Sequence, residues 1–458
     1  MKKMLLNIHI LSIVRDDNDL DPWDITLWGR EVLAELDENR LASNFVRSDY
    51  DSNDIQRYGR TINARIAREM KFKRRNHRSP VKKQPLVGET VPLELNQLWH
   101  TSFTIDDWGS TRSFGDIAEN FLTPAARALS RGMNASILGL APQFIERRGG
   151  RLQGLTPSNG LQYITEVNTA MNVKQDWGGA PMFINNDTRG ELLQVGEFVK
   201  VNESGSNEVL TRAQLGMKMD MVFYKSSNVP GTRVRTPVAD STTASAAAPG
   251  ASTVVLADAT GFAAAQRVAI AGRPYRIASV DAGTDTLTLT SPLLEGVDSG
   301  AVVETYALIG IDHSDGYGKG HAEGVLFSAT VYEGDILDIE HDNGGFGTYT
   351  VVQIDGNEIL LDRPLEDAVS DSNDVSPWPA GAYNLGFSRN AILMATRPLP
   401  IPRFGDQNLV ASTVVDYNGI GVRITATYDG DYQEVLVTLD ILGGLVPVMK
   451  NEGGVLLG

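Results

Sequence analysis

The 458-residue sequence contains no cysteine, which excludes disulfides, thiolate nucleophiles and cysteine-based zinc sites together. Stability must then come from packing and association. Long apolar runs are also missing: no stretch approaches the roughly 18 consecutive apolar residues of a membrane span. Met1-Lys2-Lys3 leads into an apolar stretch ending at Val14, but Asn7, His9 and Ser12 interrupt it. An acidic run from Asp16 follows without a small-residue cleavage site, so we read no signal peptide and expect folding in a cytoplasm. Positive charge is in deficit, with 41 basic against 57 acidic residues and a formal net charge of -16. Such a surface repels nucleic acid unless its basic residues are gathered in one place. The signatures of a Walker-type phosphate loop, a zinc-protease helix and a Gly-x-Ser-x-Gly elbow are absent as well.

The composition that remains, 42% hydrophobic and 21% charged, is that of a globular chain too long for one hydrophobic core, and two or three packed units are expected. Asp21-Pro22-Trp23-Asp24 has the chemistry of a helix start: a capping aspartate, proline at the first helical position and an acid in the first turn. Ile25, Trp28, Val32 and Leu36 then recur at helical spacing, opposite Arg30, Glu31, Glu35 and Asp37. This pattern reads as an acidic arm that docks through its apolar face.

Residues 46–105 read as an extended two-stranded loop, with alternating runs at Thr61–Ile66 and Val91–Leu95 flanking a polar stretch. From Arg65 to Lys83 that stretch carries nine lysines and arginines against the single acid Glu69. Opposite charge on two protruding segments suits contact between neighbouring copies. The candidate contact residues are Asp16, Asp17, Asp19, Glu31 and Glu35 on the acidic side. On the basic side they are Arg65, Arg68, Lys71, Lys73, Arg74, Arg75, Arg78, Lys82 and Lys83. A solvated loop is the competing reading. Single-strand binding ranks below both, because only Phe72 offers a ring for stacking within the run.

Ser113-Phe114-Gly115-Asp116 has capping-box spacing and begins an apolar stripe that runs to about Leu138, within which Pro124 should kink or break the helix. Met217, Met219 and Met221 fall on alternate residues and predict one face of a strand. A small-residue linker over Asp240–Gly250 announces a new, strand-rich unit with an internal repeat. Arg267–Ile270, Tyr275–Ile277 and Thr286–Leu293 are echoed by Asp335–Ile339, Tyr349–Val351 and Glu358–Leu365. Two related three-stranded units are expected to pack together as a small sandwich or barrel, since one alone buries little apolar surface. Asp429-Gly430 between alternating runs predicts a hairpin.

Taken in order, several of these segments resemble the major capsid (coat) proteins of tailed bacteriophages with the Hong Kong 97-type fold. The similarity is to the branch found in short-tailed Salmonella phages, which carries an inserted β-domain. The matching residues are Arg30-Glu31-Val32-Leu33, Phe103-Thr104-Ile105-Asp106-Asp107 and Phe121-Leu122-Thr123-Pro124-Ala125-Ala126, then Lys225-Ser226-Ser227-Asn228-Val229-Pro230. Asn384–Ala391 and Thr438–Leu445 complete the series. The resemblance implies an α+β fold with an N-terminal arm (1–45), an E-loop (46–105) and a P-domain with its spine helix (106–159). It further implies an A-domain with returning P-domain strands (160–230 and 375–458) and an inserted all-β domain (231–374). As function it implies a non-catalytic subunit that forms pentamers and hexamers of an icosahedral head enclosing double-stranded DNA. The partners implied are further copies of itself, a scaffolding protein, a portal and a decoration protein. Contact with packaged DNA is expected to be non-specific, with no membrane partner, no cofactor and no metal. The expected location is the virion, after assembly in the host cytoplasm.

An enzyme reading finds its best cluster in Asp312-His313-Ser314-Asp315-Gly316-Tyr317-Gly318-Lys319-Gly320-His321. Neighbouring residues do not make a triad, and the calcium-loop spacing fails at its second acidic position. The segment reads instead as a glycine-rich connection between the two β-units. A β-rich binding module is the other alternative, but it leaves the helices before residue 140 unexplained.

Overall fold

The computed structural model describes residues 30, 32–36, 41–48, 61–66, 72–75, 80, 83, 89–106, 121–152, 154–171, 179–196, 217–356, 358–402, 409–417 and 420–458. Helix α1, Thr123–Leu138, is its longest described helix. Pro124 lies in the first turn of α1, directly after a π-helical turn at Phe121–Leu122, so it marks a break between two helical pieces, one of the two outcomes expected of it. The capping box expected at Ser113 lies outside the described residues. Leu122, Ala125, Ala126, Leu129 and Met133 bury α1 against one sheet, while Ile137 and Leu138 enter a second core. One helix thus ties two cores together.

The first sheet is built around the strand Glu434–Pro447. It pairs along its length with β3, Gln97–Asp106, and with Ile420–Asp429, while its far end takes Ile392–Arg397. The Asp429-Gly430 hairpin forms as expected: Asp429 opposes Glu434, and its carboxylate accepts from the backbone N–H of Asp431 at 2.9 Å. Val32, Leu33 and Leu36, in the helical residues 32–36, pack into the core that this sheet shares with α1. This described part of the acidic arm therefore docks on its own subunit.

The second sheet runs Arg148–Gly150, Gly453–Leu457, Gly381–Phe387, Ala180–Ile184, Met221–Lys225 and Met217–Lys218, with parallel pairs at 148–150/455–457 and 180–184/221–225. Helix α2, Gly160–Met171, covers it with Tyr163, Ile164, Val167 and Met171. The three methionines do not share a strand face. Met219 and Asp220 both take positive φ, 49° and 60°, and turn the chain back, so Met221 is buried while Met217 and Met219 are exposed. A turn without glycine gave the alternation no visible break.

Residues 239–377 form two units of the same design. In the first, Arg267–Ile270, Arg273–Asp281 and Thr286–Leu289 make an antiparallel meander. In the second, Ile336–Glu340, Phe346–Asp355 and Glu358–Leu361 do the same. Each middle strand carries a register shift at the equivalent place, Ile277/Ser279 and Val351/Gln353. Reciprocal backbone bonds between Ala247 and Val297 recur between Tyr317 and Val369. The repeat is therefore three-dimensional as well as sequential.

The expected packing of the two units into one sandwich or barrel does not occur. Val302–Thr305, Ala239–Thr242 and Thr253–Val255 extend the first meander, and a bridge between Thr243 and Leu256 joins its edges. In the second unit Asp374–Pro377 and Ile309–Gly310 are added, and bridges at Ile311/Phe327 and Val325/Ile359 close the ring. Each unit is a small barrel around its own apolar core. Closure removes the open edges that would otherwise have made the units pair with each other. Asp312–His321 does not link them either, because Tyr317 pairs with Val369 inside the second barrel.

Strands β1, Thr61–Ile66, and β2, Glu89–Glu94, pair antiparallel from Thr61/Glu94 to Ile66/Glu89. Ile62, Ala64, Leu93 and Leu95 bury their base against Leu393 and Ala395. Among the described residues no helix is long and apolar enough to cross a membrane.

Candidate intersubunit contact surface

The β1–β2 ladder has a buried base, and the described residues of the basic run that follows β1 are exposed. Phe72 is 87% exposed, and Lys73, Arg74, Arg75 and Lys83 are exposed beside it. The Lys73 ammonium donates to the carbonyl of Lys83 at 3.3 Å, holding the two sides of the loop together. The result is an aromatic ring set among cations that have solvent in front of them. Arg65 is placed in β1 opposite Thr90. Arg68, Lys71, Arg78 and Lys82 lie outside the described residues, as do Asp16, Asp17, Asp19 and Glu31.

Glu35, expected on the acidic contact face, is engaged within the chain: it accepts from Nε of Arg127 on α1 at 2.6 Å. Arg127 is more than half exposed, so this pair adds little stability and mainly sets the seat of the helical segment. The sequence reading missed a second acidic projection. At the Asp429/Glu434 hairpin tip, Asp431 is exposed and Tyr432 is 76% exposed. The only signal for it in the sequence was the turn itself, which says where a chain reverses and nothing about how far it projects.

A buried polar junction lies between the barrels. The carboxylate of Asp338, fully buried, accepts from Arg267, from Oγ1 of Thr348 at 2.6 Å and from Nε1 of Trp378 at 2.9 Å. Arg276 sits 3.0 Å from the same carboxylate. Burial alone would raise the Asp338 pKa, but the two guanidinium groups and these hydrogen bonds outweigh it and hold the group below the usual carboxylate range. The arginines are also held by rings, Arg267 over Trp378 at 4.1 Å and Arg276 over Phe346 at 3.7 Å. The first barrel meets the body through Arg148, which donates to the Pro274 carbonyl at 3.0 Å and lies over Tyr275. Asp335, buried at the start of the second repeat, accepts from Arg235 and from the backbone N–H of Arg233.

The Asp312–His321 segment is arranged around an aromatic ring. His313 and His321 lie against the ring of Tyr317, each 4.8 Å away between ring centres, and the Tyr317 hydroxyl donates to the Gly324 carbonyl. No group of three or more His, Asp or Glu side chains that could hold a metal ion occurs among the described residues.

No family model and no curated protein matches the sequence. Solved structures do match. One is described as Mycobacterium phage Che8, at 9% identity and a TM-score of 0.43, covering 91% of this chain and 90% of its own. The capsid structure of the cyanophage P-SCSP1u matches at 8% identity and a TM-score of 0.42, over 87% and 83% of the two chains. The capsid structure of Staphylococcus phage Andhra matches at 10% identity and a TM-score of 0.38, over 92% and 84%.

Proposed function

We propose that the chain is a major capsid protein of a tailed bacteriophage, a non-catalytic subunit whose copies form pentamers and hexamers of an icosahedral head around double-stranded DNA. The observation that carries this reading is the basic loop. It is anchored by four buried apolar residues and presents Phe72, Lys73, Arg74, Arg75 and Lys83 to solvent. An exposed aromatic on such a loop gives an isolated subunit nothing, whereas a neighbouring copy can cover it. The ordered motif resemblance agrees with this reading, and so does the acidic balance of the chain, which lets enclosed DNA slide past instead of adhering.

In this reading residues 1–45 are the N-terminal arm and 46–105 the E-loop. Helix α1 is the start of the spine helix, and the two tandem barrels are the inserted β-domain. Scaffolding protein, portal and decoration protein are the further partners, and the virion is the final location. Many modest contacts per subunit become collectively strong in a closed shell.

Electron microscopy of the protein, expressed with and without its neighbouring scaffolding gene, tests the proposal. Round shells or procapsids are expected. A stable monomer or small ring under both conditions would overturn it in favour of a β-rich binding module.

A further inference from the structure

The end of α1 meets the second barrel at a buried carboxyl group that has too few donors. Asp362 follows the strand Glu358–Leu361 and is 3% exposed. Its Oδ1 accepts from the backbone N–H of Thr350 at 2.7 Å, but its Oδ2, buried, has no hydrogen-bond partner. The end of α1 places a carbonyl near that oxygen. A Cβ placed on Gly139, the C-cap of α1, would lie 2.9 Å from Asp362 Oδ2 and 3.0 Å from the Ala135 carbonyl, so the carboxyl oxygen and the helix-end carbonyl flank one spot. The Gly139 carbonyl is bonded to Oγ1 of Thr350 at 3.3 Å. Asp362 also lines a small cavity of about 70 Å³ with Gln97, whose buried Oε1 is likewise unpartnered.

Charge compensation is partial: after burial, Arg363 is the largest influence and favours the ionised form, but it does not outweigh burial. Arg363 is the adjacent cation, but its guanidinium donates to the Thr348 carbonyl, lies over the Tyr349 ring at 5.2 Å and faces Glu366 at 3.6 Å. Glu366 opposes ionisation of Asp362. The cavity wall from α1 and β3 is Gly132, Ser136, Gln97, Leu98 and Trp99, none of them charged. A carboxylate at the C-terminal end of a helix also meets the negative end of its dipole.

We propose that Asp362 is a proton-controlled latch between α1 and the second barrel: when protonated, its Oδ2–H donates to the acceptors at the helix end, and when ionised it loosens the junction. Burial, the largest cause, raises the Asp362 pKa from 3.8 to about 6. The closed junction thus binds its proton more tightly than the open one. The latch is at full strength below about pH 4, weakens as pH rises through the interval between the two values, and is flat above about 6. At neutral pH the junction is held in its weakened state, which makes it a place for the barrel to move relative to the helix.

Amide hydrogen exchange of the full-length chain, corrected for the intrinsic pH dependence of exchange, tests this inference. Protection at the amides of Thr350, Asp362 and Gly139 is expected to fall more than tenfold between pH 4.5 and 7, while amides of the strand Gly381–Phe387 stay level. Asp362→Asn keeps a donor and cannot ionise, so it should hold the junction closed across the range and exceed the native protein at pH 7. Asp362→Ala, with no donor, should be loose at both. A native junction without the pH step, or an Asn variant that keeps it, would overturn the latch. These outcomes are read within one subunit, so they stand apart from the capsid proposal, which stands or falls on whether shells form.

Discussion

At the scale of single residues, Asp338 shows how burial converts a surface-type side chain into a structural tie. Replacing it with alanine leaves Arg267 and Arg276 facing an empty acceptor position, a loss of about 3–5 kcal/mol for a broken buried pair. Chemical denaturation at pH 7 should show that loss as a lower midpoint, with Asp338→Asn milder because it retains an oxygen for Thr348 and Trp378. The sign with pH is opposite to that of Asp362. The Asp338 pKa is depressed, so its contribution is present above the unfolded carboxylate value of about 3.9 and is lost as pH falls through the folded one. Denaturation midpoints of the native and alanine proteins should therefore converge in strong acid. None of this was visible in Asp335–Ile339, which the sequence marked only as one member of the internal repeat.

At the scale of elements, the anchoring of the basic loop rests on a close backbone approach. A Cβ on Gly444, in the strand Glu434–Pro447, would run into the carbonyl of Glu94 at the end of β2 and crowd Leu93. Gly444→Ala should cost about 1–3 kcal/mol through overpacking and lift the hairpin from Leu393 and Ala395. Limited proteolysis between residues 61 and 94 should then be faster while the barrels remain resistant. The hairpin itself was legible because alternation within 61–66 and 91–95 has the period of a strand. Its seat was not, because Leu393 and Ala395 are some 300 residues away in sequence. The same division holds for α1: its apolar stripe was plain, but whether Pro124 kinks the helix or separates two helical pieces depended on the turn that precedes it.

At the scale of the whole molecule, two closed barrels stand on a body of two sheets joined by α1, with exposed cations at the β1–β2 hairpin. If these cations pair with acidic groups on a neighbouring copy, Arg74→Glu combined with Arg75→Glu should abolish shell formation. Circular dichroism and thermal melting should be unchanged, because both side chains are exposed. Normal particle yield from the double variant would sink the pairing. Folded subunits that no longer assemble would support it.

The sequence by itself determined the absence of thiol chemistry, the hairpin at Asp429-Gly430, the tandem repeat and the concentration of positive charge between Arg65 and Lys83. These are properties of composition, period and turn chemistry, which act over a few residues. Only the tertiary structure decided that each repeat closes on itself, that Glu35 meets Arg127, that Met219 and Asp220 form a turn, and that Asp338 is compensated while Asp362 is so only in part. Those outcomes depend on which distant strands meet and on how many donors surround a buried oxygen. Chain topology sets both, and no local pattern records them.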